Sequence, residues 1–324
     1  MFRLASEPKR ECRSPNALYP TAGKVGVKHF LRPRRPPSPY NRRCLARMPV
    51  SGRRTVGGAC VVEDSLDRYL ETCLKAARAG GAVLLDWAGR FAAREKGPAD
   101  LVTEADLASQ EAVRGILLGA FSDHGFLGEE NGASTVGKDG YRWIVDPLDG
   151  TTNYVHGLSQ FCVSIALERH GTPLVGCVYD PKADDCFYAA RGRGAFVNEQ
   201  RLQVSAVREL SQALVAMSFP PRVTRHDINV QDFLNIIERA QAVRRMGSSA
   251  LNLCYVAAGR LDAYWARDTK AWDVAAGFLI VEEAGGKLTN LAGGAPDLNR
   301  PQFIAAATPE LHAEVAGILI PISS

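Results

Sequence analysis

Apolar residues recur at three- and four-residue spacing through Leu66, Tyr69, Leu70, Cys73, Leu74 and Ala77. That period predicts an amphipathic helix starting near Glu63. Gly80-Gly81 loosens the pattern, which resumes through Val83, Leu84, Trp87 and Phe91. The helix is therefore expected to reach about Arg94 and to stop at Lys96-Gly97-Pro98. Thr103 offers a cap for a second helix ending near Leu118. Its third helical position is Asp106, where a capping box usually carries Glu. Phe126-Leu127-Gly128 reads as a short strand that runs into Glu129 and Glu130. Trp143-Ile144-Val145 reads as another, running into Asp146.

From Gln160 to Ala189 the pattern becomes that of strands. Phe161–Leu167 and Leu174–Tyr179 are joined by a turn at Arg169-His170-Gly171-Thr172-Pro173, and Cys186–Ala190 follows, predicting an antiparallel meander. Beyond residue 205 strands and helices alternate. Strands are expected at Ala213–Met217, Ala242–Met246, Leu261–Trp265 and Phe303–Ala307. Helices are expected at Asp232–Ala240, from Ser248-Ser249, from Trp272, and at Pro309–Ile318. The pattern thus gives an α+β half over 56–205 and an α/β half over 206–324, with no internal repeat.

Charge separates the first 55 residues from the rest. They carry 14 Lys/Arg and 2 Asp/Glu, against 25 and 33 in the remainder, so the net +4 hides a basic tail and an acidic body. The tail includes Arg32-Pro33-Arg34-Arg35-Pro36-Pro37-Ser38-Pro39, without apolar periodicity, and is expected to be disordered. A translation start at Met48, a targeting peptide and a basic binding arm stay open for it. Nowhere is there an apolar run of the ~18 residues a membrane span needs. The eight cysteines show neither a C-x-x-C nor a zinc-type grouping. A soluble protein in the reducing cytoplasm, with no membrane partner, is expected.

Candidate chemistry sits where elements end. Asp106, Glu129, Asp146, Asp149 and Asp273 each stand at a strand exit or a helix start. Taken singly, each is a helix-start acid or a turn. If they converge at one sheet edge, they repel one another unless hard cations neutralise them. All-oxygen donors favour Mg²⁺, Mn²⁺ or Ca²⁺ and speak against a zinc hydrolase. Gly150-Thr151-Thr152-Asn153 adds a helix start whose N–H groups suit a phosphate.

Asp146-Pro147-Leu148-Asp149-Gly150-Thr151-Thr152-Asn153, with Gly128-Glu129-Glu130 before it and Trp272-Asp273-Val274-Ala275-Ala276-Gly277 after it, resembles the inositol monophosphatase family. The likeness runs from about Ser65 to Ile318. It implies a layered α-β-α-β-α sandwich of the inositol monophosphatase/fructose-1,6-bisphosphatase type, often dimeric. It also implies lithium-sensitive hydrolysis of a small phosphate monoester with two or three Mg²⁺ ions. The family's metal positions fall on Glu129, Asp146, the Leu148 carbonyl, Asp149 and Asp273, with Asp146 bridging two ions. Its water-orienting pair falls on Asp106 and Thr151. Gly150 and Thr151 would hold the phosphate, and Ser248 and Ser249 align with a substrate-facing turn. Lys96 and Glu130 fall on further positions near the site.

In inositol-specific members an acid seven residues before the last metal aspartate contacts sugar hydroxyls. Here that position is Ala266, with Arg267 and Asp268 as the neighbouring substitutes. Inositol 1-phosphate is the first substrate expected, and histidinol phosphate, fructose 1,6-bisphosphate or another sugar phosphate stay open. A reading of another class is a non-catalytic homologue that binds RNA or protein. The intact set of acids speaks against it, and no nucleic-acid partner is expected.

Overall fold

The computed structural model describes residues 60–91, 93–97, 100–130 and 134–321, without the side chains of residues 60–64, 95–97 and 100–101. The basic tail and the side chain of Lys96 lie outside the described residues.

The chain opens with α1 (Cys60–Trp87), a hairpin of β1 (Ala93–Gly97) and β2 (Asp100–Thr103), and α2 (Glu104–Ala120). Next come β3 (Gly125–Gly128), β4 (Tyr141–Asp149) and the short α3 (Thr151–Val155). The meander follows as β5 (Cys162–Arg169), β6 (Thr172–Asp180), β7 (Asp185–Ala190), β8 (Ala195–Val197) and β9 (Gln200–Arg201). The remainder is β10 (Leu214–Met217), α4 (Ile228–Ile237), β11 (Ala242–Arg244), α5 (Ser249–Ala257), β12 (Ala263–Ala266), α6 (Ala271–Glu283), β13 (Lys287–Asn290), β14 (Phe303–Ala306) and α7 (Pro309–Ile318).

Strands β3 to β9 form one sheet in sequence order, parallel only at β3–β4. A second sheet has the order β11-β10-β12-β14-β13. Side-chain alternation along the strands decides which helices each face meets. Trp143 and Val145 pack under α1 and α2 with Leu70, Cys73, Val113 and Leu117. Ile144, between them, faces the opposite way, into a cluster with Leu253 of α5 and Leu279 of α6. The same cluster takes in Ala216, Tyr264 and Phe303 from one face of the second sheet. The other face of that sheet, through Val215, Trp265 and Ile304, buries Ile236 of α4 and Leu311 and Val315 of α7. The layers are therefore helix, sheet, helix, sheet, helix, as the family resemblance implies. Among the described residues no helix is long and apolar enough to cross a membrane.

One local reading of the sequence needs correction, and two strands, β2 and β13, were not expected from it. The first helix ends at Trp87, short of Arg94, because Gly89 takes a φ of +76° and the Arg90 N–H turns back to the Trp87 carbonyl. Phe91, which continues the helical pattern, instead packs on the Tyr154 ring 4.9 Å away. Asp100–Thr103 is a strand that the pattern did not announce. Strand β13, Lys287-Leu288-Thr289-Asn290, has too few apolar residues to announce itself.

Candidate active site

Strand β4 carries its acidic pair through an irregularity. Asp146 pairs with Ser164 and Asp149 with Cys162, so three steps on β4 answer two on β5. In a regular strand, residues three apart face opposite ways. The extra residue undoes that and lets both carboxylates face α5 and α6. Pro147, with no N–H to leave unpaired, suits the bulge. Its carbonyl accepts from Ser109 Oγ of α2 at 2.9 Å, and the Leu148 N–H donates to Asp146 Oδ1 at 2.9 Å.

Each carboxylate is held by local donors. Asp149 lies at the start of α5, where it accepts from Ser248 Oγ at 2.6 Å, Ala250 N at 2.7 Å and Ser249 N at 3.3 Å. Asp273 reaches back over the first turn of α6 to accept from Lys270 N at 2.8 Å. Asp106, fully buried, does the same on α2, accepting from Thr103 N at 2.8 Å and Thr103 Oγ1 at 2.6 Å. The Asp that replaces Glu at this position thus makes the full box. Helix starts provide both the amides and the favourable end of the dipole.

Electrostatics binds Glu129, Asp146, Asp149 and Asp273 into one set. Burial pushes Asp146 well above the usual carboxylate range, and the charges of Glu129, Asp149 and Asp273 add to it. Asp273 is raised in the same way, by burial first and then by Asp149, although its side chain retains some exposure. Asp149 is raised by burial against the pull of its donors. Every charge that raises Asp146 is another acid, so the set asks for a cation.

Among the described residues, no three His, Cys, Asp or Glu side chains are already gathered into a group that could hold a metal ion. Asp146, Asp149 and Asp273 each direct an oxygen at a backbone N–H. The donor set itself, carboxylates plus the Leu148 carbonyl, is all hard oxygen and fits a hard divalent cation in kind. Cys162 sits beside Asp149, but burial and the Asp149 charge push its thiol well up, so it offers no thiolate.

Thr151 Oγ1 lies 3.0 Å from the Leu148 carbonyl and 3.4 Å from Asp106 Oδ1, so its single proton has two acceptors. Gly150 stands before it with φ of +90°. A Cβ there would lie 2.7 Å from the Gln160 carbonyl oxygen. Gly150→Ala is therefore expected to cost ~2–4 kcal/mol, from a left-handed conformation plus a backbone clash. Urea unfolding checks this, and the midpoint should fall without a change of slope.

Ser248 is buried and its hydroxyl also accepts from Leu251 N, so it serves the Asp149–α5 junction. Ser249 is partly exposed and accepts from Tyr264 OH at 3.0 Å. Glu130 is partly exposed, and its backbone N–H donates to Gln110 Oε1 at 3.1 Å. Ala266 is buried. Arg267 is also buried, pairing with Asp232 at 2.6 Å and donating to the Ile320 carbonyl at 2.6 Å. It is structural and cannot replace the missing acid, whereas Asp268 is exposed and accepts from Asn229 Nδ2 at 3.0 Å.

Sequence reasoning missed Asn153, whose Nδ2 donates to the Gln160 carbonyl at 2.7 Å and the Met246 carbonyl at 2.8 Å. It ties α3 to the turn that presents Ser248. Its place in the Gly-Thr-Thr-Asn run was the available signal. Gln110 and Ser109 gave none.

A family model described as the inositol monophosphatase family matches residues 65–322. The chain belongs to the inositol monophosphatase family. It is 46% identical over 212 residues to an inositol-1-monophosphatase of Rhizobium meliloti, covering 64% of this chain and 79% of that protein. It is 42% identical to a Pasteurella multocida protein named Nus factor SuhB, covering 80% of this chain and 98% of the relative. The crystal structure of extragenic suppressor protein suhB from Bartonella henselae superposes with a TM-score of 0.74 at 38% identity, covering 78% of this chain and 98% of that one. The family assignment makes the protein a phosphatase.

Proposed function

We propose that this chain hydrolyses a small phosphate monoester, with inositol 1-phosphate as the first candidate. The observation that carries the reading is the mutually repelling set of the buried Asp146 and Asp149 with the partly buried Glu129 and Asp273. Those four side chains and the Leu148 carbonyl would hold two or three Mg²⁺ ions, which supply positive charge to the phosphate and activate the attacking water at neutral pH. Binding would require the carboxylates to exchange some amide contacts for the ions.

Asp106 and the Leu148 carbonyl are the two acceptors for the Thr151 hydroxyl proton. With the proton pointed at Asp106 or at the Leu148 carbonyl, the oxygen keeps a lone pair to orient the attacking water. The Gly150 and Thr151 N–H groups at the start of α3 bind phosphate oxygens. Glu130 and Lys96, which fall on further family positions, belong to the same proposal. Thr151→Val is expected to lower kcat by ~10²–10³ with KM within a few-fold, and Thr151→Ser to recover most of it. Steady-state kinetics on both variants checks this.

The choice of inositol 1-phosphate rests on the relative from Rhizobium meliloti named for that activity. With Ala266 in place of an acid, histidinol phosphate, fructose 1,6-bisphosphate and other sugar phosphates remain in competition. The deciding experiment is phosphate release from inositol 1-phosphate, histidinol phosphate, fructose 1,6-bisphosphate and 3′-phosphoadenosine 5′-phosphate at fixed Mg²⁺. A clear preference for inositol 1-phosphate supports the proposal, and preference for another compound reassigns the substrate. Lithium inhibition and a homodimer belong to the same proposal. So does a cytoplasmic setting, supported by five cysteines that are buried and free among the described residues.

One observation favours a second reading. A relative matched over nearly its whole length bears the name of a Nus factor. A regulator acting through RNA or protein would bind its partner with Asp146 replaced, whereas the phosphatase would not turn over.

A further inference from the structure

Strand β12 sends alternate side chains to opposite faces of the second sheet. Ala263 and Trp265 lie with residues of α4 and α7, whereas Tyr264 and Ala266 face α5 and α6. Ala266 brings no polar atom to that face, at the position where the resemblance implies an acid in inositol-specific members. Tyr264, two residues earlier on the same face, brings a hydroxyl. Its ring is fully buried and meets the Phe303 ring edge-on at 5.2 Å, so packing sets the direction in which the phenol points.

The Tyr264 hydroxyl donates to Ser249 Oγ at 3.0 Å and lies 2.7 Å from Ser218 Oγ, just past the end of β10. A phenol has one proton. With that proton given to Ser249, Ser218 is the donor in the second bond. The chain of hydroxyls therefore runs from Ser218 through Tyr264 to Ser249, with each proton pointing toward the start of α5. Ser249 is left with an oxygen that already accepts and its own O–H to give. Its place is fixed from the other side as well, since its backbone N–H donates to Asp149 Oδ1 at 3.3 Å. Ser249 is partly exposed where Tyr264 is not. Burial raises the Tyr264 pKa and the charges of Asp149 and Asp273 add to it, so the phenol stays a donor beside the carboxylates. Ser218 alone would keep that buried phenol hydrogen-bonded. What the bond to Ser249 adds is direction.

We propose that Tyr264 is a positioning residue, which aims the Ser249 hydroxyl as a hydrogen-bond donor at a hydroxyl oxygen of the substrate's leaving group. The proposal rests on the phosphatase reading of the carboxylate set and deepens it. It gives the substrate the chemistry of a polyol monophosphate, because a leaving group without hydroxyls offers this donor no acceptor. Where an acid at position 266 would accept from a polyol hydroxyl, the Tyr264–Ser249 pair donates to one.

The test measures kcat and KM for inositol 1-phosphate and for cyclohexyl phosphate, whose ring has no hydroxyl, with Mg²⁺ and the full chain. The variants are Tyr264→Phe, which keeps the ring and its packing, Ser249→Ala, the two combined, and Ser249→Thr. Wild type is expected to favour inositol 1-phosphate in kcat/KM by about tenfold. Tyr264→Phe and Ser249→Ala should each lower that preference about fivefold, through KM more than kcat. The double variant should fall no further than either single one, and Ser249→Thr should keep the preference. No wild-type preference, a preference that Tyr264→Phe leaves in place, or losses that add in the double variant overturn the proposal. So does a fall in kcat at constant KM, which a folding defect gives. If wild type hydrolyses neither ester, the phosphatase reading fails by itself. Calorimetric titration of inositol 1-phosphate into the same proteins then decides the role of Tyr264 separately, with weaker binding in both single variants upholding it and equal binding overturning it.

Discussion

Asp146→Asn is expected to lower phosphate release by ~10³-fold or more while making the metal-free protein more stable. The two effects have one cause. Asp146 is almost fully buried, and Glu129, Asp149 and Asp273 all raise its proton affinity. Asparagine keeps the shape and an oxygen that can accept from the Leu148 N–H, but removes the charge the neighbours repel. A residue kept at the expense of stability is the signature of a functional site. Thermal melts in a chelator, alongside turnover in Mg²⁺, check both halves. An active variant, or one that melts lower than wild type in chelator, would count against the repelling set as the seat of function.

The same set fixes the sign of a pH effect. The carboxyls of Asp146, Asp149 and Asp273 are raised above their unfolded values, so the native state holds protons that the unfolded chain has released. Their contribution is fully present below the ordinary carboxylate pKa of ~4 and is lost as pH rises through the raised native values. Melting temperature in chelator should therefore fall across that range. Added Mg²⁺ should restore more stability at high pH than at low pH, and a pH-independent Mg²⁺ effect would contradict the expectation.

The second large effect is structural. Asp232→Ala is expected to destabilise the protein by ~3–5 kcal/mol, because it leaves the buried Arg267 guanidinium without its partner. Asp232 is fully buried, and its other oxygen accepts from the Ile320 N–H at 2.9 Å. The substitution therefore also frees the end of α7. The surviving folded fraction should keep the wild-type order of substrate preference, since Arg267 is committed to Asp232 and Ile320. Urea unfolding with the substrate panel separates the two outcomes. A changed preference at full stability would return Arg267 to the substrate.

Legibility in the sequence varied with how local the cause was. The bulged strand announced its acids because Asp-Pro-Leu-Asp-Gly-Thr-Thr combines an apolar run, a proline and a helix start within a few residues. Asp106 and Asp273 were legible as first-turn acids, since a cap depends on three neighbouring positions. That Asp273 feels the charge of Asp149, and that Asp106 reaches Thr151, depends on how α2, α5 and α6 pack on the sheets, which residue spacing alone does not encode. The family resemblance supplied that step. Gly89 was a weak mark against the strong apolar period through Trp87 and Phe91, so the first helix was read too long. The true partner of Arg267 lies 35 residues away at Asp232 and left no local trace.

The central claim is that this carboxylate set works as a metal-dependent phosphatase site. Phosphate release from inositol 1-phosphate, followed as Mg²⁺ is titrated into chelator-stripped protein, tests it most directly. Release should be absent without the ion and rise to saturation with it. Release that persists in chelator, or no release at any Mg²⁺ concentration from this or the three other phosphate esters, would contradict the claim.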